Sequence, residues 1–320
     1  EPSQARVTKM NGDTHSREND GGYALAGGLR SARDLARKFL PNKRRVSQPQ
    51  AQGPEAARSA RVSRGQPPEP ARRFMVGEVY PVVQGRLAFA VHSSSDMTKA
   101  AIRRRPDLFF CSSDIHERYE AFCSDFGPVN LAAVHGFVDF MNEYTKHPQL
   151  RERTVVYYAE EEPELRTNAC FLLCAYLVIE HGYSPEGAWE PFAAIMGDPF
   201  LTFRDATYQP QDYFLTVLAC CQGIKKAMSL GWYSPDEFIA EDYEVLDDPS
   251  NADLHRVCPK FVAFKGPSEV KKKLVEGVYT FPPEHYCGIF QVMGVGAVVR
   301  LNEASTYDAR GFTENGVRHY

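Results

Sequence analysis

The sequence lacks any long hydrophobic run. Its longest apolar stretch, Ala169 to Ile179, contains 11 residues. A helix that crosses a bilayer needs about 20 apolar residues, so this stretch predicts a buried helix and no membrane partner. Residues 1–30 are polar and do not resemble a secretory signal.

The sequence also lacks the cysteine and histidine patterns of metal and disulfide sites. Its eight cysteines lie mostly among apolar residues and form no Cys-x-x-Cys pair. Such usage is typical of reduced, buried thiols in a cytosolic or nuclear protein. No metal-ligand spacing connects His135, His147, His181, His255 and His285, and no cofactor motif is present. We therefore expect no metal and no cofactor.

Charge is unevenly distributed along the chain. Residues 1–73 contain 15 Lys and Arg against 7 Asp and Glu, whereas the remainder contains 22 against 34. The composition of residues 1–75 predicts a disordered basic tail. Its "PNKRRV" cluster is open to two interpretations, a nuclear import signal or a solvated basic linker. We expect a nuclear and cytoplasmic protein that binds no nucleic acid.

Strand and helix patterns alternate from residue 76 onward, which predicts an α/β domain with a central sheet and flanking helices. Gln84-Gly85 predicts a hairpin between "GEVYPVV" and "RLAFAVH", and "LFFC" and Thr154–Tyr158 are further strand candidates. A helix is expected over "DFGPVNLAAVHGFVDFMNEYTKH", with Pro128 in its first turn. A second helix is expected to follow an N-cap at Ser184. A third is expected over "QDYFLTVLACCQGIKKAMSLG".

A second composition begins near residue 257. Residues 234–256 predict an acidic linker helix, with Ser234 as its cap and Glu237 completing a capping box. Residues 257–320 then supply a strand "KFVAFKGP", a helix "PPEHYCGIFQVMG" and a strand "AVVRLN". These elements are too few to bury a sheet on both faces, so we expect 76–233 to be one domain and 257–320 an incomplete second domain of the same type.

The segment "VVYYAEEEPELRTNACFLLCAYLVIEHG", residues 155–182, has the layout of a phosphatase loop: a strand, a polar loop, an arginine and an apolar helix. Phosphatases of this kind need a cysteine thiolate, backbone N–H groups at the helix N-terminus and an arginine that holds two phosphate oxygens. The position six residues before Arg166 is Glu160, and the loop holds four glutamates. The scaffold is therefore present without its nucleophile, and we assign no catalytic residue.

Further blocks carry a resemblance to a known family. They include "YEAFCSDFGPVNLAAV", "LTFRDATY", "QGIKKAMSLGWYSPDEF", "EDYE", "FVAFKGP" and "AVVRLNEASTYDARGFTENGVRHY". Over residues 78–320 the chain resembles the cell-division-cycle-fourteen dual-specificity protein phosphatases, which have two phosphatase-like domains in tandem. The resemblance implies a catalytically dead first domain and the start of a second domain, whose catalytic loop and general-acid Asp lie downstream of the block that ends at Tyr320.

Two classes of function follow from the resemblance. The first is part of an enzyme that hydrolyses phosphoserine, phosphothreonine and phosphotyrosine at proline-directed kinase sites, although this chain alone is expected to be inactive. The second is a non-catalytic pseudo-phosphatase that binds phosphoproteins or basic peptides. The sequence does not determine the oligomeric state.

The family resemblance also implies an acidic groove that favours phosphoserine-proline peptides with a nearby basic residue. The matching positions are Glu244 and Asp247, three apart on the expected linker helix, and Glu162 in the degenerate loop. Glu160, Glu161 and Glu164 are weaker candidates, and Gly85 occupies a position where the family resemblance implies an acid. The alternative is a solvated acidic face, which is the usual role of such a run.

Two arginines in family blocks are interpreted as structural. Arg204 in "TFRDATY" is expected to pair with Asp205 and hold a turn before a helix. Arg300 in "AVVRLN" is likewise expected to serve the fold and not a ligand.

Overall fold

A computed structural model describes residues 72–113, 115–275 and 277–320. Residues 1–71 of the expected basic tail therefore lie outside the described residues, whereas Arg72 and Arg73 form a short strand. The described chain forms two compact units, which are treated separately below. The first contains residues 72–243 with 258–260, and the second contains 244–257 with 261–320.

The first unit contains a four-stranded sheet with helices on both faces. Its strands are β1 (Arg72–Arg73), β2 (Val79–Val83), β3 (Leu87–Val91), β4 (Leu108–Cys111), β5 (Thr154–Ala159) and β6 (Ile195–Met196). Its helices are α1 (Ser95–Arg104), α2 (Leu131–Thr145), α3 (Pro163–Glu180), α4 (Pro185–Ala193) and α5 (Val217–Ser229). The boundary between the two units, after Tyr243, falls within α6 (Ala240–Asp247).

The sheet order is β2-β3-β5-β4, with β2 antiparallel to β3 and the other neighbours parallel. The predicted hairpin is confirmed, and Gly85 in its turn has φ +69°, a conformation that glycine adopts without steric cost. β1 and β6 form a separate two-stranded parallel pair. The α/β class expected from the sequence is thus confirmed.

The central helix of the first unit is α3. Twelve consecutive residues, Thr167 to Val178, are buried, so the helix has no solvent-facing side over three turns. A helix that is apolar on all sides must be enclosed, and α3 contacts α2, α4 and α5. It ends before Gly182, whose φ of +69° suits the left-handed position after a helix.

Two of the sequence-based helix starts were wrong in position. α2 begins at Leu131 and not near Pro128, because Asn130 caps it by accepting a hydrogen bond from the Ala133 N–H at 2.9 Å. Similarly α5 begins at Val217, where the Thr216 side chain accepts from the Ala219 N–H. The expected cap at Ser184 is confirmed.

The linker helix is shorter than its pattern indicates. Ser234 accepts backbone hydrogen bonds from Glu237 and Phe238, which makes one isolated turn, and the helix itself starts at Ala240. The Phe238 ring packs near His135, Tyr233 and Tyr243, so tertiary packing overrides the predicted capping box. The capping box is therefore wrong, although a helix is present.

The second unit has its own small core. Its elements are β7 (Leu254–Cys258), β8 (Phe261–Phe264), β9 (Lys272–Val275), β10 (Val278–Thr280), α7 (Pro283–Met293), β11 (Ala297–Val298), α8 (Arg310–Thr313) and β12 (Arg318–His319). Aromatic rings of Phe264, Tyr286, Phe290 and Phe312 cluster together. The expected strand "AVVRLN" is only two residues long, although the Arg300 N–H still donates to the Tyr320 carbonyl at 2.9 Å. The Arg300 side chain donates to the carbonyls of Ala304 and Tyr307.

Within the described part of the chain, no helix combines the length and apolarity that a bilayer span requires. All eight cysteines are free thiols, six of them buried. Burial raises the pKa of the Cys111 thiol, so this group stays protonated and behaves as a small apolar residue.

Candidate functional site

The degenerate loop joins β5 to α3. β5 ends at Ala159, Glu160–Glu162 follow, and α3 begins at Pro163. All four glutamates, Glu160, Glu161, Glu162 and Glu164, are exposed. Proline fits the first helical position, but it removes one of the N–H groups that would otherwise face an anion. The loop thus presents carboxylates where a phosphatase presents donors.

The Arg166 guanidinium is occupied by backbone carbonyls and is not free for a phosphate. Its Nε donates to the Pro199 carbonyl, and its Nη1 donates to the Glu161 carbonyl at 3.2 Å. The guanidinium also lies 4.8 Å from the centre of the Phe74 ring. Burial lowers the pKa of Arg166, and the charges of Glu161 and Glu164 oppose that effect. Arg166 therefore holds neighbouring segments of the fold together.

A cavity of about 720 Å³ lies beside the first turn of α3. Its walls come from the loop 117–126, from Glu164 and Leu165 on α3, and from the segment 201–211. Four carboxylates line it, together with Arg118 and Arg204. These carboxylates belong to Glu117, Glu120, Asp125 and Glu164.

Asp125 is the buried anchor of this cavity wall. Its Oδ2 accepts a hydrogen bond from the Tyr119 hydroxyl, and its Oδ1 accepts from the Cys123 N–H at 2.6 Å. Burial raises the pKa of Asp125, but the bonds from Tyr119 and from the Cys123 and Phe122 amides outweigh burial and hold the pKa well below its ordinary value. Asp125 is therefore a carboxylate at neutral pH.

Glu117 belongs to a second buried network. Its Oε2 accepts hydrogen bonds from Ser113 Oγ at 2.8 Å and from the Tyr157 hydroxyl at 2.9 Å. Burial and the Glu117 charge raise the pKa of Tyr157 well above its ordinary value, so Tyr157 remains a donor. Asn168 on α3 donates to the backbone carbonyls of Glu117 and Gly127. These bonds fix the loop 117–126 onto β5 and α3.

The three candidate groove residues fall in different units. Glu162 lies in the first unit and occupies the N-cap position of α3 without a side-chain capping bond. Glu244 and Asp247 lie in the second unit, three residues apart on α6. Glu244 is exposed, whereas Asp247 Oδ1 lies 3.1 Å from His255 Nε2. The groove assignment of these residues remains a prediction.

The expected pairing of Arg204 with Asp205 was wrong. Arg204 instead donates to the carbonyls of Thr207 and Gln209, the latter at 2.8 Å. Its backbone also bridges to Phe126, which ties the segment 201–211 to the loop 117–126. Arg204 therefore shapes the cavity through carbonyl oxygens rather than through a neighbouring carboxylate.

Sequence reasoning missed Glu117, Glu120 and Asp125 as members of the same acidic wall. They are 35 or more residues from the degenerate loop in the chain, and no spacing rule connects them to Glu164. The only available signal was "YEAFCSDFGP", a polar stretch between a strand and a helix, and its position over α3 depends on tertiary packing.

Comparisons with known proteins agree with this geometry. Residues 81–227 match the family described as "Dual specificity protein phosphatase, N-terminal half". The chain is 37% identical over 226 residues to mouse "Dual specificity protein phosphatase CDC14A". The matched segment covers 69% of this chain and 37% of the relative. It is 33% identical over 254 residues to human "Dual specificity protein phosphatase CDC14C", which covers 79% of this chain and 55% of the relative.

A more distant relative is the Caenorhabditis elegans "Tyrosine-protein phosphatase cdc-14", 29% identical over 245 residues, with 74% of this chain and 34% of the relative covered. The chain thus spans about a third to a little over half of the length of these relatives. The similarity includes the degenerate loop.

A cysteine alone should not restore phosphatase chemistry to the loop. We expect the protein with Glu160→Cys to hydrolyse p-nitrophenyl phosphate no faster than the unchanged chain or a Glu160→Ser control, which should both be inactive. The reason is that Arg166 remains bound to carbonyls and three glutamates still repel the anion. Steady-state absorbance at neutral pH measures the rate, and cysteine-dependent turnover would show that the loop can still hold phosphate.

Asp125 should make the first unit sensitive to acid. Because its pKa is depressed in the folded state, its contribution is fully present above the ordinary carboxyl pKa and is lost progressively as the pH falls from that value through the folded-state pKa. Asp125→Asn should cost about 1–3 kcal/mol of unfolding free energy at pH 7 and a smaller amount at pH 3, where the unfolded carboxyl is mostly protonated but the folded one is still ionised. Urea unfolding at both pH values measures this, with Asp236→Asn as an exposed control. An equal cost at both pH values would refute the charge-based role.

Proposed function

Because the chain belongs to the CDC14 family of dual-specificity protein phosphatases, we propose that it forms the substrate-selecting part of a phosphatase that acts on Ser, Thr and Tyr sites made by proline-directed kinases. In this proposal the first unit is catalytically inactive. The cysteinyl-phosphate chemistry is supplied by a catalytic loop that residues 1–320 do not contain.

The observation that carries the proposal is the occupied state of Arg166. A phosphatase loop keeps its arginine free for the phosphate, whereas Arg166 already binds the carbonyls of Pro199 and Glu161. The nucleophile position holds Glu160. A family scaffold that lacks the nucleophile, and whose arginine is already bound, is suited to binding substrates rather than to cleaving them.

We further propose that Glu162, Glu244 and Asp247 contribute to an acidic groove for phosphoserine-proline peptides with a nearby Lys or Arg. Glu162 and Glu244 are exposed, and neither has an ion pair within the part of the chain that the structure describes. Carboxylates without partners favour an incoming cation, although an exposed pair contributes only about 1 kcal/mol or less. Selectivity would therefore come from several such contacts together.

Asp247 differs from the other two because His255 already lies within ion-pair distance of it. This contact occupies one of the carboxylate oxygens of Asp247. Glu244 is therefore the more effective of the two helix positions. The proposal predicts that charge reversal at Glu244 has the larger effect on basic substrates.

The second candidate function is a pseudo-phosphatase that captures partners without catalysis. It is favoured by the acidic cavity beside α3, whose carboxylates need no catalytic loop to bind a cation. Reading the transcript past the codon for Tyr320 separates the two functions. A downstream His-Cys-x-x-x-x-x-Arg motif supports the enzyme, and a stop codon supports the binding module.

A nuclear and cytoplasmic location completes the proposal. It rests on the basic cluster "PNKRRV", residues 41–46, which lies outside the described residues.

Charge reversal on α6 tests the groove in the full-length protein. Glu244→Lys with Asp247→Lys should lower kcat/KM by roughly 30-fold or more for a phosphoserine-proline peptide with a nearby arginine, at low salt. Turnover of p-nitrophenyl phosphate should hardly change, because this small substrate does not reach beyond the reacting phosphate. The loss should shrink at 1 M salt, where the Debye length is about 3 Å.

Glu152→Lys is the matched control, since Glu152 is an exposed carboxylate that precedes β5, at the opposite end of that strand from the loop. It should leave both substrates unaffected. Glu244→Lys alone isolates the carboxylate that His255 does not pair with. Equal losses on both substrates, or no loss on the basic peptide, would remove these residues from the groove.

A further inference from the structure

A second cavity, of about 640 Å³, lies in the first unit between α1 and β2. On this face of the sheet α1 packs through Ala101 and Ile102, and the cavity occupies the space beside it. Apolar side chains line most of this α1–β2 groove, including those of Val79, Pro81, Ala88, Met97, Ala100 and Leu108. Because several of these side chains are small, the groove has room for an aliphatic side chain.

Arginines gather at one end of the α1–β2 groove. The segment Arg103–Arg105 forms the last residues and the C-cap of α1; its three side chains are exposed, and its last two residues line the groove. The segment before β5 is adjacent, since the Arg153 Nε donates to the Pro106 carbonyl at 3.1 Å. The Arg86 Nη1 donates to the Arg151 carbonyl at 2.7 Å. Together these residues form the arginine cluster: Arg86, Arg103, Arg104, Arg105, Arg151 and Arg153.

The arginine cluster differs in charge from the chain around it. Residues 74–320 contain 22 Lys and Arg against 34 Asp and Glu. The segments 103–107 and 151–153 contain five arginines against two acids, Asp107 and Glu152. The cluster is therefore a local basic surface on an acidic body.

Part of this positive charge is available to a partner. Arg105 binds the Asp107 carboxylate at 2.7 Å, but Arg103 and Arg104 form no ion pair in the part of the chain that the structure describes. The helix dipole favours cations at the C-terminal end of α1. It does not account for the arginines before β5, which belong to no helix C-terminus.

The lining and the charge of the groove indicate the chemistry of its occupant. Away from the arginine cluster the charge is balanced, because the Arg72 Nη1 lies 3.9 Å from the Glu78 Oε1. Guanidinium forks match the geometry of carboxylates, and the apolar lining accepts an aliphatic side chain. Single-stranded nucleic acids are held by aromatic stacking as well as by charge, but the aromatic ring in this lining, Phe110, is only 6% exposed. An acidic peptide with an aliphatic residue therefore fits the groove better than a nucleic acid does.

We propose that the α1–β2 groove is a docking site for a partner protein, which inserts one aliphatic side chain of an acidic segment between α1 and β2. The Asp and Glu side chains that flank this residue bind the arginine cluster. The groove adjoins Thr154, whereas the degenerate loop follows Ala159, so the site lies at the opposite end of β5 from Glu162. The inference goes beyond the proposed function, because it concerns a segment of opposite charge at a different place, and either hypothesis can fail alone.

Fluorescence anisotropy with the whole 320-residue chain tests the proposal. The probe is the peptide Gly-Asp-Glu-Leu-Asp-Glu-Gly with blocked termini and an uncharged fluorophore. One counterpart replaces its acids by the amides Asn and Gln, and a second replaces leucine by glycine. At low salt we expect the amide peptide to bind about 10-fold or more weakly than the probe, because it cannot pair with the arginines. The glycine peptide should bind several-fold more weakly, because it leaves the groove empty.

Variants separate the two parts of the site. Arg103→Gln with Arg104→Gln keeps good helix formers on α1 and should weaken binding of the probe by about 5-fold or more. Ala100→Leu fills the groove with an aliphatic side chain, so it should remove the difference between the leucine and glycine peptides. Arg256→Gln with Lys260→Gln is the matched control, since it removes the same charge at exposed positions in and after β7. This control should bind the probe as the unchanged chain does.

Each outcome decides the proposal. Every variant keeps residues 1–73, so any binding to that basic segment appears equally in all of them. Arg151→Gln lies outside α1 and repeats the charge test if Arg103→Gln with Arg104→Gln lowers the midpoint of thermal unfolding. Equal binding of the probe and the amide peptide, unchanged binding in the arginine variants, or an equal loss in the matched control would overturn the proposal. So would a short oligothymidine that loses more affinity than the probe in the arginine variants, since the cluster would then serve a nucleic acid.

Discussion

The enclosure of α3 is the constraint on which the first unit depends. Twelve consecutive residues of this helix are buried, and α2, α4 and α5 pack around it. Burying a side chain the size of leucine contributes about 1.5–3 kcal/mol, so the helix cannot shift without large losses. Its N-terminus is therefore fixed at the end of β5 whether or not the junction carries out any chemistry. The phosphatase-like layout persists because packing requires it.

Once that junction is fixed, the role of its polar groups can change. Arg166 has the sequence position of a phosphate ligand, yet it stabilises the contact between the loop, the segment at Pro199 and Phe74. Exposed glutamates occupy the positions that would face the anion. The Asp125 carboxylate accepts a hydrogen bond from Tyr119 in its own loop, and the Glu117 carboxylate accepts one from Tyr157 on β5. The junction keeps its phosphatase-like layout, but its polar groups stabilise the fold.

The sequence was most informative where a local pattern and the tertiary packing require the same structure. The hairpin at Gly85, the buried strand β5 and the all-apolar helix α3 could be predicted because hydrophobic periodicity alone determines them. The start of α2 at Leu131 and of α6 at Ala240 could not, since the Asn130 cap and the packing of Phe238 decide them. The missing nucleophile was visible at Glu160, but the orientation of Arg166 and the wall formed with Asp125 needed coordinates.

The central claim is that this loop no longer binds a phosphate-like anion, and isothermal titration with orthovanadate tests it most directly. Vanadate mimics the phosphoryl group and needs no cysteine to enter a cradle of N–H groups and an arginine. The account predicts no measurable heat of binding to the chain, and no difference between the unchanged protein and Arg166→Met. Saturable vanadate binding that disappears in Arg166→Met would show that Arg166 is still a phosphate ligand and would contradict the account.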